Sequence, residues 1–136
     1  MSNVPTIQKL LEAVSEGDVD AFREHLAEDV RWEHHPTGNR AQDAGVPYMR
    51  LREGREAAAG FLRDIADDFE MGSLEVQGFL EGDGRVAVLL GYELTVKSTG
   101  KRVRDEEVHL WELDGDGKVT AFRHFLDTAK AIEAHS

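Results

Sequence analysis

The hydrophobic period of this sequence changes near residue 70, from the spacing of helices to the spacing of strands. Before that point, apolar residues recur three and four positions apart, as on one face of a helix. After it, apolar and polar residues alternate in segments separated by glycine-rich turns, which indicates consecutive antiparallel hairpins. This order predicts an α+β protein, and a length of 136 residues predicts one domain spanning residues 1–136.

The chain opens with two predicted helices. The first runs from Thr6 to Gly17, and the second follows a cap at Asp18 and ends before Asp29. Residues 30–35 then alternate as a short strand, which places His34 on the same face as Trp32.

Residues 36–53 contain two prolines and two glycines without a steady period, so we predict a long loop with a binding role. After Gly54 the helical spacing returns through about Asp68 and predicts one long third helix. The strands that follow are predicted at residues 72–80, 85–97, 101–113 and 118–127. Residues 129–135 are expected to form a last helical turn or a frayed tail.

Neither face of the predicted sheet is fully polar. Val108 and Leu110 occupy one face of a strand, while His109 and Trp111 occupy the other. Helices in a chain this short cover only one side, so we expect the open side to pack against a second copy in a homodimer.

Composition excludes several classes of function. The absence of cysteine removes disulfides, thiolate metal sites and cysteine nucleophiles, and a formal charge of −11 disfavours binding to nucleic acid. The apolar runs are too short to span a membrane, and the start of the chain lacks the pattern of a signal peptide, so a cytoplasmic location is expected. The expected ligand is a small neutral or weakly polar molecule.

Three stretches resemble the nuclear transport factor 2-like superfamily, which includes ketosteroid isomerase, limonene epoxide hydrolase and the SnoaL-like polyketide cyclases. They are LLEAVSEGDVDAFREHLAEDVRWEHHP, GREAAAGFLRDI and EEVHLWELDGDGKVTAFRHFLDT. The SnoaL-like subgroup is most similar, because its last strand often carries an arginine, an aromatic residue and an aspartate at two-residue spacing, here Arg123, Phe125 and Asp127. The resemblance implies a cone-shaped, cystatin-like fold in which a curved, mostly antiparallel sheet wraps around three helices and encloses an apolar cavity.

The resemblance also implies an acid–base enzyme that needs no cofactor and acts on a small hydrophobic carbonyl compound. The predicted catalytic residues are His34 or Asp127 as the base and His109 as the hydrogen-bond donor to an enolate oxygen. For His34 the alternative is a strand-end histidine that bonds to the loop backbone. For Asp127 it is pairing with Arg123 or capping of the tail.

Further residues are expected to line the cavity and bind substrate: Trp32, Tyr48, Phe61, Tyr92, Glu93, Trp111, Arg123 and Phe125. At two positions the chain differs from these relatives, and each difference limits the reactions that it can share with them. Leu10 stands where the isomerase has a tyrosine donor, and Gly91 stands where the epoxide hydrolase has its arginine.

No metal site is predicted, because His34 and His35 point to opposite faces of a strand and no ligand spacing is typical of zinc. Two other functions remain open at this stage. One is a dimeric module that binds a small molecule without chemistry, since a fold does not fix a function. The other is an interaction scaffold that works through the open sheet face.

Overall fold

The computed structural model describes residues 2–136 and contains six α-helices and six β-strands. The helices are α1 (Val4–Glu16), α2 (Val19–Glu24), α3 (Arg40–Asp43), α4 (Arg55–Ala59), α5 (Phe61–Asp68) and α6 (Thr128–Ala134). The strands are β1 (Leu26–Trp32), β2 (Arg52–Glu53), β3 (Phe69–Gly82), β4 (Arg85–Val96), β5 (Arg102–Leu113) and β6 (Val119–Phe125).

The six strands form one curved sheet in the order β2-β1-β6-β5-β4-β3. Every neighbouring pair is antiparallel except β1 and β6, which run parallel. The parallel pair sets Trp32 opposite Phe122, so residues far apart in sequence meet at the ends of these two strands. The predicted α+β class and the mostly antiparallel sheet are confirmed.

Local sequence signals start and stop the first two helices. Pro5 lies in the first turn of α1, and Gly17 ends that helix with a φ of 68°, a left-handed conformation that suits glycine. The Asp18 carboxylate then accepts a hydrogen bond from the Ala21 N–H at 3.1 Å and caps α2.

Aromatic rings fill the space between the helices and the inner face of the sheet. Trp32 stacks on Phe122 with 4.1 Å between ring centroids, and Trp111 packs against Phe122 at 4.4 Å. Phe61 of α5 contacts Trp32 at 5.0 Å from the helix side. Burial of each such ring contributes roughly 1.5–3 kcal/mol to the free energy of folding, so this packing anchors the helices to the sheet.

The boundaries differ from the sequence prediction in the first half of the chain. Strand β1 begins at Leu26, because α2 ends at Glu24 rather than continuing toward Asp29. The predicted loop at 36–53 contains α3, a single 3-10 turn at Pro47–Met49 and the short strand β2. The four C-terminal strands are confirmed to within three residues at each end.

The predicted long helix after Gly54 is wrong, since the chain forms α4 and α5 with a break at Gly60. Buried Arg52 occupies the break. Its guanidinium donates to the Ala57 carbonyl at 3.2 Å and also pairs with the Asp64 carboxylate. A side chain that inserts at a helix carbonyl in this way is a known cause of helix kinks.

The last residues form a full helix, α6, instead of a frayed tail. None of the helices in residues 2–136 has the length and apolar character needed to cross a lipid bilayer.

Candidate active site

The site begins with a change of backbone direction at the end of β1. Glu33 has a φ of 61°, which is uncommon for a residue with a side chain and reverses the alternation of the strand. Trp32 and Glu33 are therefore both completely buried, although they are neighbours in sequence. The Glu33 N–H donates to the Phe122 carbonyl at 2.8 Å and holds this conformation.

The Glu33 carboxylate receives hydrogen bonds from two histidines. Its Oε1 accepts from the His124 backbone N–H at 2.7 Å, and its Oε2 lies 2.6 Å from His124 Nδ1. His35 Nε2 lies 3.2 Å from Oε1. This side chain has partners at both oxygens, as a buried carboxylate requires.

A second carboxylate and imidazole pair lies on the neighbouring strand. Glu107 and His109 are two residues apart on β5 and share its inner face, with 2.8 Å between Glu107 Oε1 and His109 Nε2. His109 stands directly opposite His124 in the register of β5 and β6, and the two rings meet at right angles with centroids 4.7 Å apart. We call Glu33, Glu107, His109 and His124 the His/Glu cluster.

Burial and pairing move the pKa values of the cluster in different directions. Burial alone raises the pKa of Glu33, but the charge and hydrogen bonds of His124 outweigh it and hold that pKa below its ordinary value. Burial lowers the pKa of His124, and attraction to Glu33 overcomes this, so the net shift is upward. The Glu33 and His124 pair is thus favoured in its ionised form.

In the second pair, Glu107 and His109, the pKa of the histidine shifts downward instead of upward. Burial raises the pKa of Glu107, yet the charge and hydrogen bond of His109 bring it below the ordinary value. Burial lowers the pKa of His109 by more than the Glu107 carboxylate raises it, so His109 favours the neutral ring.

The contact geometry and the directions of these pKa shifts together indicate where the hydrogens lie. An ionised Glu107 only accepts, so Nε2 of His109 carries the hydrogen and donates to it. In a neutral ring Nδ1 then holds a lone pair, and this buried nitrogen has no hydrogen-bond partner among the described residues. His124 uses Nδ1–H toward Glu33. The cluster therefore places a ring that can accept a proton beside a ring that can donate one.

Aromatic side chains surround the cluster. Phe122 and Phe61 lie 4.7 Å and 5.9 Å from the His124 ring, and Tyr48 lies 6.1 Å away. Burial raises the pKa of Tyr48 and of Tyr92, so both phenols keep their hydrogens.

A cavity of about 360 Å³ opens at the end of β6. It lies where β5 continues past the last paired residue of β6, and its lining includes residues from both faces of β5. Glu107 is the member of the His/Glu cluster that lines it, and the Glu107 side chain is 12% exposed. The other lining residues are Asn39, Gln77, Leu89, Asp105, Glu106, Val108, Phe125, Leu126 and Asp127.

The expectation that His34 faces the interior is wrong. The left-handed backbone at Glu33 turns His34 outward, where its Nδ1 lies 3.0 Å from an Arg31 guanidinium nitrogen in an exposed position. Glu33 takes the interior place that strict alternation gives to His34.

Asp127 is exposed and lies outside the His/Glu cluster. Its carboxylate accepts from the Lys130 N–H at 3.2 Å and caps α6, which is the structural alternative that the sequence left open. Of the three predicted catalytic residues, only His109 lies in the buried cluster.

Three residues expected to line the interior lie on the outer face of the sheet. Glu93 pairs with Arg102 there, and Arg123 lies over the Phe125 ring at 5.1 Å. Phe125 is 43% exposed. Their side chains point to the face opposite to that of Tyr92, Phe122 and His124, so the prediction that they face the interior is wrong. Phe125 nevertheless lines the 360 Å³ cavity at the end of β6.

The other predicted lining residues do face inward: Trp32, Tyr48, Phe61, Tyr92 and Trp111 are all buried. The rings of Trp32, Phe61 and Trp111 pack on one another and fill much of the space that the sequence assigned to a ligand.

Sequence reasoning missed three members of the cluster. The sequence could have indicated Glu107, since a carboxylate two residues from His109 on a strand lies on the same face as His109. His124 pairs with His109 only through the register of β5 and β6. Glu33 had no signal, because its inward position depends on one backbone angle.

Part of the cluster has the composition of a metal site. Glu107, His109 and His124 each offer one ligand atom, and these atoms lie within 4.8 Å of one another. The sequence predicted no metal site, because it did not bring these residues together.

The chain is similar to one protein family and to several solved structures. The model of the SnoaL-like domain family matches residues 7–122. No curated protein is similar enough to count as a match.

Solved structures resemble the chain over nearly its whole length. A nuclear transport factor 2-like protein from Burkholderia xenovorans LB400 is 25% identical, with a TM-score of 0.84 over 98% of this chain and 95% of that one. A nuclear transport factor 2-like protein of unknown function from Burkholderia pseudomallei K96243 is 28% identical, with a TM-score of 0.79 over 98% of both chains. TerC co-crystallised with polyporic acid is 22% identical, with a TM-score of 0.74 over 97% of this chain and 96% of that one.

Proposed function

The chain belongs to the SnoaL-like domain family, and we propose that it is a cofactor-independent acid–base enzyme that moves a proton on a small hydrophobic carbonyl compound. One observation carries this proposal. The buried Glu107 and His109 pair leaves Nδ1 of His109 without a partner and faces a second buried pair, Glu33 and His124.

In the proposed step, His109 Nδ1 takes a proton from the carbon next to the carbonyl group. The electrons of that C–H bond form the carbon–carbon double bond of an enolate, and the negative charge passes to the carbonyl oxygen. His124 donates a hydrogen bond to this oxygen, which stabilises the charge as it develops. In an isomerisation, His109 then returns the proton to another carbon of the substrate. In a ring closure, the enolate carbon instead attacks a second carbonyl carbon of the substrate, and His109 gives the proton to the oxygen of that carbonyl.

The two glutamates are positioning residues in this scheme. Glu107 accepts from Nε2 of His109 and fixes the tautomer that leaves Nδ1 as the base. Glu33 holds the His124 ring through Nδ1 and its backbone through N–H. Rigid support of this kind keeps reacting groups in a productive geometry.

The proposed substrate enters through the 360 Å³ cavity, a volume in the usual range for small-molecule sites. Leu89, Val108 and Leu126 supply an apolar part of its lining, and Asp105 and Glu107 supply negative charge. A neutral compound fits this lining better than an anion. That TerC was crystallised with polyporic acid is in keeping with small-molecule binding by this fold.

The test is exchange of the α-hydrogens of 2-tetralone, a neutral bicyclic ketone, for deuterium in D₂O, followed by NMR. The protein is treated with EDTA first, so that any activity belongs to the side chains. We expect exchange above the buffer rate, and a loss of about 100-fold or more in His109→Gln. The glutamine amide can still donate to Glu107 but is not a base.

His34→Ala is the matched control, because it removes an exposed histidine outside the cluster. Circular dichroism and a melting curve of each variant establish that the fold is kept. Wild-type exchange at the buffer rate, or equal rates in His109→Gln and His34→Ala, would contradict the proposal.

A second candidate function is a module that binds a small molecule without chemistry. The packed rings of Trp32, Phe61 and Trp111 favour it, because they leave little inner space for a reacting molecule. Saturable binding of 2-tetralone without exchange of its α-hydrogens would support this alternative.

We further propose a homodimer through the outer face of the sheet. Partly exposed apolar residues share that face on neighbouring strands, among them Ala87 and Leu110. A second copy covering them would remove apolar surface from water.

A further inference from the structure

We propose that Glu107, His109 and His124 form a binding site for a divalent transition-metal ion of the zinc type. This inference goes beyond the proposed proton transfer and does not depend on it. It concerns what else the same side chains can bind.

The ligand atoms are already close. One atom from each of the three residues lies within 4.8 Å of the other two. Zinc binds imidazole nitrogen and carboxylate oxygen at about 2.0–2.2 Å, so two ligands of a tetrahedral ion lie roughly 3.4 Å apart. The widest pair therefore has to close by about 1.4 Å at most, a distance within the range of side-chain rotation.

The His109 ring is held at only one of its two nitrogens. Nδ1 of His109 has no hydrogen bond within residues 2–136, although polar atoms in a protein interior are normally satisfied. Nε2 lies on the opposite side of the ring, 2.8 Å from Glu107 Oε1, so it is the nitrogen that can share an ion with this carboxylate. A metal at Nε2 would take the place of the hydrogen between the two residues and leave a hydrogen on Nδ1.

The environment of His124 matches that of a metal-binding histidine. Such histidines commonly donate their second ring N–H to a carboxylate, which sets the tautomer and the ring orientation. Nδ1 of His124 lies 2.6 Å from Glu33 Oε2, so Nε2 is left for the metal. Glu33 would then orient the His124 ring without contacting the ion.

The donor set selects the class of metal. Two imidazole nitrogens and one carboxylate oxygen suit zinc and neighbouring first-row ions, whereas calcium and magnesium prefer oxygen ligands. Two carboxylates in the cluster, Glu33 and Glu107, favour a positive ion electrostatically. Glu107 lines the cavity at the end of β6, which provides a path for the ion and for a water or ligand on its open side.

Metal binding and the proposed proton transfer exclude each other at His109, since a metal on Nε2 leaves the hydrogen on Nδ1, which then cannot accept a proton. The exchange assay on EDTA-treated protein therefore tests the proton transfer alone. A titration with metal tests the present inference alone, so the failure of one leaves the other standing.

The experiment is calorimetric titration of the full, EDTA-treated chain with ZnCl₂, together with absorption spectra of the Co²⁺ form. We expect one Zn²⁺ per chain and the visible bands of four- or five-coordinate Co²⁺. Glu107→Gln removes a ligand with almost no change in volume and should weaken binding about 100-fold or more. Glu33→Gln, which changes a supporting hydrogen bond, should weaken binding about 10- to 100-fold.

Glu106→Gln is the matched control, because Glu106 is the exposed neighbour of Glu107 on the outer face. It should bind Zn²⁺ as the wild type does. A second readout is thermal unfolding, where Zn²⁺ raises the melting temperature of the wild type and of Glu106→Gln but not of Glu107→Gln. Absence of one-to-one binding by the wild type, or equal affinity in Glu106→Gln and Glu107→Gln, would overturn the inference.

Discussion

At residue 33 a single backbone angle decides which polar side chain enters the interior. A φ of 61° is unfavourable for a residue with a side chain. The hydrogen bonds of the buried Glu33 carboxylate to His124 and His35 offset this strain. The conformation and the cluster thus depend on each other.

Replacing Glu33 by alanine should destabilise the protein strongly. The change leaves His124 Nδ1 and the His124 backbone N–H buried without their acceptor. We expect a loss of about 3–5 kcal/mol in the free energy of unfolding, the range for breaking a buried pair at one partner. Urea denaturation measures it.

Glu53→Ala is the control, since Glu53 is an exposed glutamate on β2 and should change stability by less than about 0.5 kcal/mol. Similar losses in the two variants would contradict the role assigned to Glu33.

Asp127 has two assigned roles, the catalytic base predicted from the sequence and the cap of α6 seen in the structure, and a substitution distinguishes them. Because Asp127 caps α6, its change to alanine should cost about 1 kcal/mol of stability. Asp127 also lines the cavity but is not part of the His/Glu cluster, so any effect on 2-tetralone exchange should appear in KM rather than in the rate at saturation. Thermal unfolding and the exchange assay measure the two effects. A loss of exchange comparable to that of His109→Gln, in a folded Asp127→Ala variant, would restore Asp127 as a catalytic residue.

Among the secondary-structure elements, the turn between β2 and α4 depends on a glycine. Gly54 has a φ of 91° and a ψ of 157°, a region that is essentially restricted to glycine. Its N–H donates to the Val30 carbonyl at 2.8 Å and fixes the turn against β1, the strand that ends next to Glu33.

Gly54→Ala should therefore destabilise the protein by about 1–3 kcal/mol, because alanine cannot adopt this conformation without strain. Denaturant unfolding provides the measurement. Gly78→Ala is the matched control, since Gly78 has no positive φ and an added methyl group meets no atom within 4 Å. If both substitutions lower the free energy of unfolding equally, the loss does not come from the backbone conformation of Gly54.

At the scale of the whole molecule, the outer face of the sheet is the surface that the second copy would cover in the proposed homodimer. Leu110 lies there in register with Ala87 and Arg123, half-buried in the single chain. If two copies pack through this face, sedimentation should give the mass of a dimer, twice 15.2 kDa.

Leu110→Lys should shift the dimer toward monomer, because a charge placed in an apolar contact must lose its water. Leu51→Lys is the control, as Leu51 is 46% exposed in the segment before β2. Sedimentation of the wild type as a monomer at micromolar concentration would contradict the proposed interface.

The sequence by itself determined the α+β class, the four long strands and the presence of His109 on the inner face. These features follow from local rules: the period of apolar residues and the positions of glycine and proline in turns. The resemblance to the SnoaL-like proteins also came from the sequence, and the family match confirms it.

Only the tertiary structure decided which polar groups form the site. His124 meets His109 through strand register, and Glu33 meets His124 through the parallel pairing of β1 and β6. The reversal at Glu33 is stabilised by partners in distant strands, so no local pattern announces it. A period-two rule fixes the face of a side chain only while the strand stays regular, and the backbone leaves the extended conformation at Glu33, the residue after β1.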